Sequence, residues 1–294
     1  PIPYPLCLPM LLRPWTTLLC CICATFAIAA EPLLLPRPNA LELGTEMFKA
    51  SQLRVWEATP EEFAKVQRIL TADGGVKVGA VSAEDKKPVR ITGPDGQTRT
   101  LMGRAYEEAP TLRLSRLKTG GYTLRIQPMG IDIAYGPDDQ LNAALTTLRQ
   151  LAWGSAAGWA VPCGTISDTP RYAHRGYMLD ESRHFTGKAG VKRLLDAMEL
   201  LKLNVFHWHL TDNPGWRVAS TRNPGLNDPK SRSRVPQGQY SAEEIKAFVA
   251  YAAAHGVEVL AEMDMPGHSD YFAKGLGFDM QTPQGLKVVE GELD

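Results

Sequence analysis

Seven side chains with chemical capability sit at the ends of three apolar runs: Arg183, His184, His207, His209, Asp212, Asp264 and His268. The runs are Gly176–Phe185 (GYMLDESRHF), Leu203–Trp216 (LNVFHWHLTDNPGW) and Val257–Asp270 (VEVLAEMDMPGHSD). On a strand, residues i and i+2 face the same way, so the imidazoles of His207 and His209 can converge. With Asp264 and His268 they can make a metal site. They can equally be hydrogen-bonded scaffold under a substrate pocket. No HExxH motif or cysteine cluster supports the metal. Pro266 and Gly267 can fold the chain back so that Asp264 meets His268. An Asp that accepts one imidazole N–H fixes the tautomer and raises the basicity of the other nitrogen. The same contact can also do no more than hold the loop. Arg183 offers a planar fork of donors suited to a carboxylate or to vicinal hydroxyls, and its spacing also permits a salt bridge with Asp180 or Glu181. Trp208 and Trp216 are expected in the core before they are expected under a sugar.

Such residues need a scaffold that collects strand ends. Helix-like segments separate the three runs, at about 188–202 and 241–255, and the second opens with Ser241 and Glu244 at capping-box spacing. Strands at 176–180, 203–209 and 257–262, alternating with helices, predict parallel strands joined by crossover helices. In a (β/α)8 barrel, reactive groups stand at the C-terminal ends of the strands. Three of eight strands are recognisable, so residues 169–294 are expected to be the first part of such a barrel, with the third strand's outer edge unpaired. Residues 31–168 predict a small α+β domain. Its expected elements are a helix at Glu61–Thr71, short β runs at 74–94, a hairpin of Tyr122–Ile126 with Ile131–Tyr135, and a helix at Asp138–Leu151 whose apolar stripe is Leu141, Ala144, Leu145, Leu148 and Leu151.

The totals exclude some partners. Lys+Arg and Asp+Glu are both 32 in 294 residues, which gives no support to a nucleic-acid partner. The chain opens with proline. An apolar core from Trp15 to Ala30, with Arg13 before it and Ala27-Ile28-Ala29 at its end, predicts a signal peptide over 1–30, and hence export to the periplasm or medium with no stable membrane association. An uncleaved anchor fits less well, because the core is short and Pro14 interrupts the longer run. A lipoprotein signal at Leu19-Cys20 lacks the usual small residues before the cysteine. Of five cysteines, only Cys163 lies beyond that segment, and it reads as an inert thiol.

Taken in order, RGYMLDESRHF, KLNVFHWHLTDNPGW and YSAEEIKAFVAYAAAHGVEVLAEMDMPGHS resemble the first three β/α units of glycoside hydrolase family 20, the β-N-acetylhexosaminidases. The stretches YTLRI…GIDIAYGPDDQLNAALTTLRQL and TISDTPRYAHRG are similar to the small domain that precedes the barrel in that family. The resemblance implies a retaining hydrolase of terminal N-acetylhexosamine, acting on an oligosaccharide without metal or cofactor, in which the substrate's 2-acetamido oxygen is the nucleophile. It implies that Arg183 holds ring hydroxyls in the terminal subsite, and that His209, Asp212, Asp264 and His268 support the acid and the pocket floor. There are departures. Asn213 follows Asp212 where a second acid is usual, and Glu181 replaces a small or β-branched residue. The family's catalytic Asp-Glu pair follows Gly-Gly on a later strand, and no such sequence occurs here, so that pair is expected beyond Asp294 and the chain by itself is expected to be inactive.

Overall fold

The computed structural model describes residues 32–56, 58–72, 75–81, 88–92, 98–102, 110–152 and 159–293. The stretch expected to be a signal peptide, with Cys7, Cys20, Cys21 and Cys23, lies outside the described residues. No helix among the described residues is long and apolar enough to cross a membrane.

The N-terminal half is built on strands β1 (Ala40–Lys49), β2 (Gln52–Trp56) and β3 (Lys77–Ala80), the pair β4 (Pro88–Thr92) and β5 (Thr98–Met102), then β6 (Thr111–Arg116), β7 (Tyr122–Gln127), β8 (Gly130–Tyr135) and β9 (Ala160–Asp168). Seven of them form one mixed sheet in the order β1-β9-β7-β8-β6-β2-β3, while β4 and β5 pair only with each other. The expected hairpin is β7–β8, paired antiparallel from Tyr122↔Tyr135 to Gln127↔Gly130. Strand β1 was not anticipated. It lies at the sheet edge and is exposed along most of its length, so its sequence carries little of the alternation that betrays a half-buried strand.

Helices α1 (Pro60–Thr71) and α2 (Asp138–Ala152) pack against this sheet. Helix α1 starts at Pro60, one residue before the expected start, because proline is pre-set for the first helical turn. A capping box fixes its end: Glu62 N–H donates to Thr59 Oγ1 at 3.2 Å, and Thr59 N–H donates to Glu62 Oε2 at 2.8 Å. The predicted stripe of α2 is buried throughout, against Leu124, Ile126, Ile131 and Ile133 of the sheet. Each such aliphatic side chain contributes about 1.5–3 kcal/mol by leaving water.

The C-terminal half runs β10 (Gly176–Asp180), α3 (Gly187–Leu200), β11 (Val205–Asp212), β12 (Gly215–Trp216), α4 (Ala242–Ala254), β13 (Glu258–Met263), α5 (Asp270–Leu276) and α6 (Pro283–Leu293). Strands β10, β11 and β13 are parallel neighbours, as expected for consecutive barrel strands, and β12 is a short antiparallel return on β11. Helix α3 stops at Leu200, short of the expected 202. Lys202 takes a left-handed backbone (φ 58°), its N–H donates to the Glu199 carbonyl, and Leu203 N–H reaches back to Met198, a Schellman ending.

The residues after Gly267 contain α5 and α6. Tyr271 and Phe272 of α5 are buried against Trp216 and Leu226, and that tertiary contact outweighs the weak helical signal of a glycine-rich segment. Trp208 and Trp216 are both buried, as their size suggests.

Register puts Met178, His207 and Leu260 in one row across the three strands, and Asp180, His209 and Glu262 in the next row toward the C-terminal ends. The alternate residues Leu179, Phe206, Trp208 and Val259 join the core under the helices. The first set therefore faces away from that core. Met178 is 53% and Leu260 51% exposed there.

Candidate active site

The polar ends of β10, β11 and β13 meet around Asp212. This carboxylate is only 2% exposed. Its Oδ2 is ion-paired with the Arg183 guanidinium and lies 3.3 Å from His209 Nε2. Its Oδ1 accepts the Asn213 N–H at 2.6 Å and lies 3.4 Å from His268 Nδ1. A short polar turn after an apolar strand brings this about: β11 buries Phe206, Trp208 and Leu210, so its end is fixed, and Asp212 stands where the strand leaves the core.

Arg183 sits on the loop after β10 and is 45% exposed. Its Nη1 donates to Asp180 Oδ2 at 2.6 Å, and its backbone N–H donates to Asp180 Oδ1 at 2.9 Å. The hydrogen bond it donates to Asp180 raises the Arg183 pKa further above its already high ordinary value. Burial raises the pKa of Asp180, but its bonds to Arg183 outweigh this and hold the carboxyl below the usual range. The sequence posed substrate clamp and salt bridge as alternatives for Arg183. The structure combines an ion-paired guanidinium with a half-open position.

His207 and His209 converge as their spacing predicts, and the group between them is Glu262. His207 Nε2 contacts Glu262 Oε2, and His209 Nδ1 lies 2.9 Å from the same oxygen but outside hydrogen-bonding geometry. Burial lowers the His209 pKa, yet Glu262 and then Asp212 outweigh it and leave the ring above its ordinary value. Burial likewise raises Glu262, and His209 and His207 together bring it below the usual carboxylate range. Glu262 was not singled out as a site residue from sequence. The available signal was an acid at the C-terminal end of a strand, on the same period-2 face as Leu260 and two residues before Asp264.

The expected Asp264–His268 contact is not formed. His268 (φ 53°) turns its Nδ1 to Asp212, and the Asp264 N–H is held by Thr211 Oγ1 at 2.8 Å. The Pro-Gly turn does reverse the chain, but Asp212 is the acid that lies within reach of the ring. His184 is exposed on the Arg183 loop, where its carbonyl accepts from the Thr186 hydroxyl.

One ligand atom each from His209, Asp212 and Asp264 lie within 4.8 Å of one another, close enough to hold a cation. The surroundings fit poorly. The Arg183 guanidinium already occupies Asp212, and His209 has a carboxylate facing each ring nitrogen, which favours an imidazolium with no lone pair for a metal.

Two further charged groups support the rim. Glu181 is fully buried, and its Oε2 accepts from Thr186 N–H and Tyr240 Oη; burial lifts its pKa. Arg217, also fully buried, follows β12. Burial, and then Arg232, lower its pKa to about 10, so it stays protonated at neutral pH.

The family model "Glycosyl hydrolase family 20, domain 2" matches residues 31–169, and "Glycosyl hydrolase family 20, catalytic domain" matches residues 172–284. A β-hexosaminidase of Akkermansia muciniphila is 41% identical over 180 residues, which are 58% of this chain and 35% of the relative. Among solved structures, a β-N-acetylhexosaminidase of Bacteroides fragilis is similar with a TM-score of 0.71 and 25% identity, over 90% of this chain and 54% of the other. An exo-β-N-acetylglucosaminidase of Vibrio harveyi, solved in complex with N-acetylglucosamine, gives a TM-score of 0.66 and 27% identity over 83% of this chain and 38% of the other. The chain thus spans about a third of the length of the Akkermansia relative and about half of the Bacteroides structure.

Proposed function

This chain belongs to glycosyl hydrolase family 20, and from that membership we propose that the protein removes terminal, non-reducing N-acetylhexosamine from glycans or chitooligosaccharides. The observation that carries the proposal is the Arg183–Asp212 pair. A half-exposed guanidinium, braced by a buried carboxylate at the ends of parallel strands, is a built receptor for vicinal hydroxyls. It lies within the stretch that matches the family's catalytic domain. The Vibrio harveyi enzyme with its bound N-acetylglucosamine supports the choice of sugar.

In the proposed reaction the sugar's own acetamido oxygen attacks the anomeric carbon as the bond to the leaving oxygen breaks. A carboxylic acid protonates that oxygen and then, as carboxylate, takes a proton from the water that opens the cyclic intermediate, so configuration is retained. Arg183 positions the sugar. Asp212, His209 and His268 fix Arg183 and the charge of the pocket floor, and Asp264 completes the rim. The acid–base role is assigned to none of these residues. Export belongs to the same proposal and rests on the apolar stretch that ends in Ala27-Ile28-Ala29.

The test is turnover of an aryl N-acetyl-β-glucosaminide against the matching aryl β-glucoside by the intact protein. The acetamido substrate is expected to react faster by orders of magnitude, because it carries the nucleophile. Equal rates on the two would overturn the substrate-assisted reading.

A further inference from the structure

We propose that Arg217 is a positioning residue for the sugar clamp, latching together the two loops that build the rim beside Arg183. A guanidinium has five N–H donors. All five of Arg217 are used, and every acceptor is a backbone carbonyl. Nε donates to Glu181 at 2.9 Å, and Nη2 to Ser182 at 2.7 Å and Arg234 at 2.8 Å. Nη1 donates to Val235 at 3.0 Å and Gly238 at 2.9 Å. Glu181 and Ser182 immediately precede Arg183, while Arg234, Val235 and Gly238 belong to the loop on the other side, exposed at Arg234 and Val235 and buried at Gly238.

This arrangement is costly for a cation that only fills space. Arg217 is fully buried, and none of its hydrogen bonds goes to a carboxylate. A buried apolar side chain of similar volume would spare the desolvation. What an apolar side chain cannot do is hold five carbonyls from two loops at once. The surroundings are shaped for the guanidinium. A Cβ on Gly215 would come within 3.0 Å of Arg217 Cζ, and the Phe185 ring lies 5.3 Å from Cζ on the Arg183 loop. The latched loop also carries strain: Val235 is held at φ 45°, a region a β-branched residue avoids. Such outliers persist where the surroundings over-determine them, and the carbonyl of this residue is one that Arg217 holds. The two loops also touch directly, since Arg234 Nη1 approaches the Arg183 carbonyl at 3.4 Å. Glu181 and Ser182 are buried, and Ser182 Oγ donates to the Asp212 and Gly215 carbonyls, so the Arg183 loop is pinned from behind to the strand that supplies Asp212.

The kinetic part of the inference rests on the proposed function, because it takes Arg183 to bind sugar. The latch itself does not. The first measurement is therefore hydrogen–deuterium exchange of intact wild type and Arg217→Lys, whose ammonium cannot span five carbonyls. Segments 181–186 and 234–238 should lose protection together, tenfold or more, while α3 keeps its own. Loss in one segment alone, or in neither, overturns the latch whatever the enzyme does.

The second measurement is kinetic, on wild type that turns over the N-acetylglucosaminide. Arg217→Lys should raise KM tenfold or more with a smaller change in kcat, and millimolar guanidinium should partly restore KM in Arg217→Ala. An unchanged KM, or a defect that guanidinium leaves untouched, would make Arg217 merely structural. If both variants fail to fold, Gly238→Ala replaces them in both measurements. Its Cβ would meet the Phe185 ring at 2.6 Å and push the second loop off the first. The same paired loss of protection and the same rise in KM are expected, and their absence overturns the proposal.

Discussion

Asp212 is the residue on which the site depends. It is buried, and three cationic or potentially cationic groups converge on it. Arg183→Lys leaves a positive charge but no fork, so it cannot face Asp180 and Asp212 in the same way. We expect kcat/KM of the intact protein to fall on the order of a hundredfold, which is about 3 kcal/mol of transition-state binding. The melting temperature should fall by only a few degrees, because the ammonium still neutralises part of the buried carboxylate. Unfolding at room temperature with no kinetic defect in the folded fraction would make Arg183 a fold residue. A second expectation concerns pH. The folded pKa of His209 is raised above 6.5, so its contribution to stability is complete below that value and fades as pH rises through the raised pKa. Glu262 is lowered below 4.5, so its contribution is present above that value and fades as pH falls through the lowered pKa. The pair is therefore most effective between these two ordinary values. Urea unfolding at pH 5.5 and pH 8 should show that Glu262→Gln loses less stability over this interval than wild type does. Identical losses would uncouple Glu262 from His209.

At the scale of elements, the helix between β11 and β13 has chemically specified ends. Helix α4 begins at a capping box in which Glu244 N–H donates to Ser241 Oγ at 3.2 Å and Ser241 N–H donates to Glu244 Oε2 at 3.1 Å. Glu244 also pairs with Lys188 of α3 at 2.5 Å, which ties the two helices together at their N-termini. That pair is exposed and adds little. Ser241→Ala should therefore cost about 1 kcal/mol in chemical denaturation, the usual worth of a cap. It should leave KM unchanged, because α4 ends far from Arg183 in the chain and its cap touches no rim residue. A change in KM at unchanged stability would contradict this division between scaffold and site.

In the molecule as a whole, the two halves are joined among the described residues by partly buried polar contacts, and their apolar cores form separate clusters. Glu199 of α3 accepts from both ends of the Arg68 guanidinium of α1, at 2.7 and 2.5 Å, and from Asn142 of α2 at 2.9 Å. Gln150 of α2 adds a bond to the Leu200 carbonyl at 3.0 Å. Glu199 is buried while Arg68 is partly exposed. Replacing the acid by glutamine should cost about 1–3 kcal/mol, less than a fully buried pair would, since water can re-solvate Arg68. The expected signature is a lower first transition in calorimetry as the halves uncouple. A single transition at the wild-type temperature would show that the clamp adds nothing.

The local features were legible in the chain because their causes are local. The hairpin at 122–135, the α2 stripe, the Ser241 cap and the three parallel strands follow from periodicity and capping chemistry, which act over a few residues. The i, i+2 spacing of His207 and His209 fixed their common face. The edge strand β1 and the short helix α5 were not legible, because partners distant in sequence stabilise them: β9 for the first, Trp216 and Leu226 for the second. The same holds for the site. Sequence named Arg183, His209, Asp212, Asp264 and His268 as a group. Only the tertiary structure decided that His268 turns to Asp212 instead of Asp264, that Glu262 stands between the two histidines, and that Arg217 gathers carbonyls from two loops. Which acid meets which base is decided by strand register and by the direction of a turn, and neither is a property of any short stretch of chain.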